Sequence, residues 1–278
     1  MRIYLGPAGI PTVAKEKSTL EGIKTVSELG LNAMEIEFVR GVKMSNELAK
    51  EAGKLAEKLG IRLSVHAPYF INLCSSEKEK IKASKKRILD SMERASLMNA
   101  EIVCVHAGYY GKLSKEEAYE KIKEACEDII KKAKSKGWDN TSLALETTGK
   151  VSQFGTLDEI IKICKEVKGC KIVVDFAHIY ARQAGRINYK EIFEKLKVLK
   201  FKHYNFHFSG IKFSPVKATG KGNERYHLPI ASNSPPFEPL AKEILRRKIS
   251  ATIISESPLL EQDSLKMKKI FEKLGYKF

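Results

Sequence analysis

The sequence has no CxxC pair, no long apolar run and too few acids to balance its bases, and each lack excludes something. Its five cysteines are Cys74, Cys104, Cys126, Cys164 and Cys170. An odd number without paired spacing argues against a disulfide framework and against a cysteine zinc site. Cys104 falls inside a predicted strand and reads as core. No apolar stretch approaches the roughly 20 residues of a membrane span. The first residues, MRIYLGPAGIP, lack the apolar segment and cleavage site of a signal peptide, and read as the first strand of a cytoplasmic protein. GPAG follows that strand where a doubly wound nucleotide-binding sheet would carry GxGxxG. Acids number 34 against 50 Lys and Arg, a formal net charge of +16, with a pI near 9.5. A heat-adapted surface rich in Lys and Glu raises both signs of charge. An excess of one sign points to a polyanion, nucleic acid, ahead of solubility alone.

What is present is a regular alternation of strand and helix signals through 278 residues, 43% of them apolar. Strands are predicted over 2–5, 33–38, 62–66, 102–106, 142–146, 171–178, 203–208 and 252–255. The intervening helices stop at Gly30 and Gly60, and open at capping boxes Ser114/Glu117 and Thr156/Glu159. A long polar loop is expected over 209–236. Strand-helix units repeated in this way predict an α/β fold, a single (β/α)8 TIM barrel. No linker rich in Pro, Gly or Ser divides the chain, so one domain over 1–278 is expected.

The strands share an unusual ending. KIVVDFAH is apolar until Asp175 and His178; LSVHAP ends at His66, IVCVHAG at His106, LALET at Glu146, YNFHFSG at His207 and ATIISESP at Glu256. A buried strand has no structural need for such polar ends, and an unpaired buried carboxylate is costly. Imidazole and carboxylate are ligands that zinc and manganese accept. Glu146 can bridge two metals or serve one. Asp175 and His178, three residues apart around a strand-to-loop bend, more easily reach neighbouring ions than the same one. His203 lies deeper in its strand and reads as structural or as a support behind a ligand.

In this order the motifs VHAPYFINL, HAG, ET, VVDFAH, HFSG and SESP resemble endonuclease IV, the zinc-dependent apurinic/apyrimidinic endonuclease family of the xylose-isomerase-like barrels. The resemblance runs over almost the whole chain. It implies three zinc ions: His66, His106 and Glu146 on the first; Glu146, Asp175, His207 and Glu256 on the second; His178 opening a third. The family completes its third site with Asp-x-His after strand seven. Here the segment is NERYH, Asn223 to His227. Tyr226 falls where the histidine belongs and His227 comes one residue late, so Glu224 and His227 are the expected ligands. Two to three zinc ions are therefore expected, with Mn2+ able to substitute.

The resemblance also implies hydrolysis of the phosphodiester 5′ to an abasic site, leaving a 3′-hydroxyl, by a hydroxide oriented by Glu146 or Glu256. The partner would be double-stranded DNA, the protein a monomer with no membrane role. Tyr69 and Asn72 match the family's DNA-reading segment; Tyr69 either stacks in the gap left by the base or packs the barrel rim. Arg40 is the only candidate for an arginine after strand two. Lys212, Lys217, Lys221 and Arg225 crowd the loop after strand seven, as phosphate contacts or as a solvated face. The rival reading is a sugar isomerase or epimerase on the same barrel, holding one metal with Glu146, Asp175, His207 and Glu256. It leaves His66, His106 and His178 surplus. A third is a DNA-binding relative without catalysis.

Overall fold

The computed structural model describes residues 1–278. Its strands are β1 (Ile3–Pro7), β2 (Ala33–Glu37), β3 (Arg62–His66), β4 (Ile102–Val105), β5 (Ser142–Glu146), β6 (Cys170–Asp175), β7 (Tyr204–Phe208), β8 (Gly210–Val216), β9 (Lys221–Leu228) and β10 (Ala251–Ser255). The helices are α1 (Thr19–Glu28), α2 (Asn46–Leu59), α3 (Lys78–Leu97), α4 (Lys115–Ser135), α5 (Leu157–Glu166), α6 (Phe176–Arg182), α7 (Tyr189–Leu196), α8 (Phe237–Arg246) and α9 (Leu260–Lys273). The main sheet runs β1-β10-β7-β6-β5-β4-β3-β2, and β8-β9 form a separate hairpin. With the hairpin set aside, neighbours in space are neighbours in sequence, except that the first strand, β1, pairs with the last, β10. That is the strand order of a (β/α)8 barrel. No helix is long and apolar enough to cross a membrane.

The chain divides into two compact units: Met1–Met34 with Gly149–Val151 and Val174–Phe278, and Glu35–Thr148 with Ser152–Val173. The boundaries at 34/35 and 173/174 fall inside β2 and β6 rather than in linkers.

In the second unit, α2, α4 and α5 open on side-chain caps, while α3 follows Glu77 without one. Ser45 accepts the Leu48 N–H at α2, and Gly60, at φ 68°, ends that helix in the left-handed region. The boxes Ser114/Glu117 and Thr156/Glu159 open α4 and α5 with both reciprocal bonds made. Strand interiors are apolar: Ile102, Cys104, Ala144 and Val173 pack together, fully buried or nearly so.

Two expectations fail in the first unit. The segment after strand seven is not a polar loop: its greater part is the antiparallel hairpin β8/β9. Nor does strand six run on to His178 or end in a bend: β6 stops at Asp175 and α6 begins at Phe176. Asp175 is the N-cap of α6, and its Oδ1 accepts the His178 backbone N–H at 2.6 Å. The Asp-x-x-His spacing is therefore a capping spacing as well as a donor spacing. Phe176 anchors this junction. Its ring lies 5.2 Å from Phe206 and 5.6 Å from Tyr189. Burying such a ring contributes roughly 2–3 kcal/mol, so Asp175 and His178 leave a rigid strand end.

Candidate metal centres

Side chains alternate along a strand, so residues two apart share a face. In the second unit Cys104 and His106 share one. The β3–β4 register sets His66 opposite Cys104, and in the β4–β5 register Val105 faces Leu145. Glu146 thus stands level with His106. Three donors converge on its Oε2: His66 Nε2 at 3.2 Å, His106 Nε2 at 2.9 Å and Cys104 Sγ at 3.1 Å. The donor atoms of His66, Cys104 and Glu146 lie within 4.8 Å of one another. Cys104 is thus not core alone, as its sequence context suggested: its thiol reaches the donor atoms.

The His66 ring is oriented from behind. Its Nδ1 meets the Ala67 carbonyl at 2.8 Å, which turns Nε2 toward Glu146. A metal-bound histidine is held in this way, the far nitrogen donating to a carbonyl. Burial works to lower the His66 pKa, but the neighbouring Cys104, Glu146 and Glu37 hold it well above the ordinary histidine value. The negative field that retains a proton there suits a cation equally. Glu35 adds a further buried carboxylate in this unit, accepting from Ser64 Oγ at 2.7 Å. Glu35 and Glu37 were not among the expected residues, although Met-Glu-Ile-Glu is itself an alternating signal.

Tyr69 is 62% exposed, its ring 6.2 Å from that of His66. Phe70 beside it is 65% exposed, and Tyr109 is exposed as well. Arg40 is exposed; its neighbour Val39 takes the Tyr69 N–H through its carbonyl, at 3.2 Å. Asn72 is half-buried. Its Oδ1 accepts from Cys74 N at 3.2 Å and from Tyr109 N at 3.4 Å, so it braces the loop from within. Gly108, at φ 139°, allows this: a Cβ there would strike Asn72 Oδ1.

The first unit carries a second group of donors. His178 Nε2 is 3.0 Å from Glu224 Oε2, and His178 Nδ1 is 3.6 Å from Asp175 Oδ2. His207 Nδ1 is 3.2 Å from Glu256 Oε1. The His178 and His227 rings meet edge to face at 5.6 Å, and donor atoms of His178, His227 and Glu256 lie within 4.8 Å of one another. Ser209 Oγ, 2.7 Å from His227 Nδ1, fixes that ring. His203 is not among these donors; it contacts Thr252 Oγ1 at 2.9 Å.

Glu224 and His227 are three residues apart, a spacing that puts side chains on opposite faces of a regular strand. A β-bulge removes the conflict. Ile211 pairs with His227 and Lys212 with Tyr226, but Phe213 pairs with Glu224. Arg225 is the extra residue, unmatched in the ladder. Glu224 and His227 therefore share the face of Ile211 and Phe213, which packs on Ala177, Tyr180 and Ala181 of α6. Lys212, Lys217, Lys221, Arg225 and Tyr226 are exposed. Gly149 completes the arrangement. Its carbonyl accepts the Glu224 N–H at 3.0 Å, and a Cβ at 149 would occupy the space of Glu224 Oε2. Lys150 Nζ approaches Glu224 Oε1 at 3.5 Å.

Imidazole nitrogen, carboxylate oxygen and one thiol make donor sets that fit zinc, and the carboxylate–imidazole group fits manganese as well. A (β/α)8 chain with such donors at the carboxyl ends of its strands defines a class, and comparison gives the family. Residues 23–273 match the model of the xylose isomerase-like TIM barrel, and the chain belongs to that family. Among relatives, it is 36% identical to an uncharacterized protein of Methanocaldococcus jannaschii over 98% of both chains. It is 28% identical to a probable endonuclease 4 of Mycoplasma mobile, over 76% of this chain and 74% of that one. Solved structures share the fold: endonuclease IV from Thermus thermophilus (TM-score 0.71, 20% identity, 98% of each chain) and a D-tagatose 3-epimerase-like protein (TM-score 0.72, 21% identity, 96% of each).

Proposed function

We propose that this protein is a metal-dependent apurinic/apyrimidinic endonuclease, hydrolysing the phosphodiester 5′ to an abasic site in double-stranded DNA and leaving a 3′-hydroxyl. The observation that carries the reading is the number of donors. His66, His106 and Glu146 would hold one ion, Asp175, His207 and Glu256 a second, and His178, Glu224 and His227 a third. One octahedral ion takes six ligands at most, fewer than the nine residues named, and a single-metal sugar isomerase has no use for the remaining histidines. Similarity to probable endonuclease 4 proteins supports the same choice. The net charge of +16 suits a polyanionic substrate.

When bound, zinc supplies a nucleophile at neutral pH and neutralises charge at phosphorus. The two proposed catalytic carboxylates have different tasks. The Glu146 side chain is wholly buried with three donors on one oxygen, so it holds and orients. The Glu256 side chain is 15% exposed and steadied at one oxygen by His207, so it can take the proton of the attacking water. Tyr69 and Phe70 offer faces for stacking where a base is missing. On the hairpin, exposed Tyr226 pairs with Lys212, and Lys217, Lys221 and Arg225 are exposed as well, a mix of charge and ring that would suit a nucleic-acid backbone. A cytoplasmic monomer is part of the proposal.

The test is incision of a duplex with one synthetic abasic site. Wild type should cut it, chelator should stop the cut, and Glu146→Gln should be inactive. Binding without incision would favour a DNA-binding relative without catalysis. Turnover of a ketose with no incision would favour the isomerase.

A further inference from the structure

We propose that Cys104 is a thiolate ligand of the ion held by His66 and Glu146, making this a mixed nitrogen, oxygen and sulfur site. The inference rests on the metal reading above and goes beyond it, because that reading uses only histidines and carboxylates. Three observations support it. Cys104 faces His66 across the β3–β4 ladder, so both side chains leave the sheet on one face. Its Sγ is 3.1 Å from Glu146 Oε2, the oxygen that also meets His66 and His106. Finally, Sγ, the His66 ring nitrogen and the Glu146 oxygen lie within 4.8 Å of one another. Ligands at zinc distances of 2.0–2.3 Å in a tetrahedron stand roughly 3.3–3.7 Å apart. The observed 2.9–3.2 Å contacts to Glu146 need to open by only tenths of an ångström.

Below Cys104 the strand face is apolar, with Ile102 and Ala144 packed against it. The thiol is the layer between that core and the polar donors. On binding, the S–H bond breaks, a sulfur–metal bond forms and the proton leaves to solvent. A thiolate carries charge that Ser or Ala cannot supply, and it favours zinc over magnesium and manganese.

The test is spectroscopic. The purified protein is stripped of metal, reloaded with Co2+, and its near-ultraviolet and visible spectra are recorded with the number of bound ions. Wild type should show a sulfur-to-cobalt charge-transfer band. Cys104→Ser and Cys104→Ala should lose that band, keep the visible cobalt bands of the other ligands, and retain zinc about tenfold less tightly or worse. The far-ultraviolet circular dichroism of both variants should be unchanged. Bound cobalt without the charge-transfer band in wild type, or with the band intact in Cys104→Ser, would overturn the ligand role alone. If no cobalt binds at all, the metal reading falls and the ligand role with it.

Discussion

Deleting Arg225 separates a bulge that merely accommodates an extra residue from one that the site depends on. In the hairpin Ile211 faces His227, Lys212 faces Tyr226 and Phe213 faces Glu224, with Arg225 outside the ladder. Removing it leaves each of those pairs intact and shortens the Glu224–His227 spacing to two, the spacing a regular strand needs for a shared face. Arg225 is exposed, so no core packing is lost. The expected stability change is under about 1 kcal/mol, or at most about 4 °C in melting temperature for a chain of this size. His178, which meets Glu224 at 3.0 Å, should keep its partner. The assay is thermal unfolding by circular dichroism together with a metal count, run beside His227→Ala. The deletion should match wild type in bound metal, and His227→Ala should fall short by one ion. A fall of more than about 10 °C, or a metal loss equal to that of His227→Ala, would refute the bulge argument.

Other perturbations bear on separate parts of the account. Gly149→Ala should displace Glu224, whose carboxylate fills the space a Cβ would take; bound metal and incision should drop while the circular dichroism spectrum is preserved. Tyr69→Ala should weaken binding of an abasic duplex by roughly tenfold, as expected for about 1–3 kcal/mol of stacking, with little change for intact duplex in a fluorescence anisotropy titration. Burial raises the Cys74 thiol to about 11. At pH 8 only about one part in a thousand is thiolate, so iodoacetamide should leave Cys74 unlabelled in the native protein and label it as the pH is raised; rapid labelling at pH 8 would show the loop to be open.

Much of this architecture could be read from patterns whose physics is local. Strands β3 and β5 fall at the expected residues and α2 stops at Gly60 as expected, because apolar runs and that glycine mark them. Both capping boxes form. Polar strand ends singled out most of the side chains that the structure groups together, since carboxylates and imidazoles are conspicuous after Val and Ile. What escaped had weaker or overlapping signals. The β8 segment GIKFSPV carries Pro215 and Lys212 and is partly exposed, so its alternation resembles a loop. Helix α6 follows β6 without an intervening turn, and its cap is the same Asp175 already assigned to metal. The bulge at Arg225 is set by pairing across the hairpin, which no single strand encodes. Cys104 was hidden by its own chemistry: a small, wholly buried thiol looks like core until its cross-strand neighbour is known to be His66.

Counting the metal ions in the purified chain, by native mass spectrometry with elemental analysis, addresses the donor clusters themselves. The account predicts at least two zinc ions per chain, with abasic-site incision lost as they are removed and regained as they are restored. A single magnesium or manganese ion per chain, or full incision by metal-free protein, would contradict it.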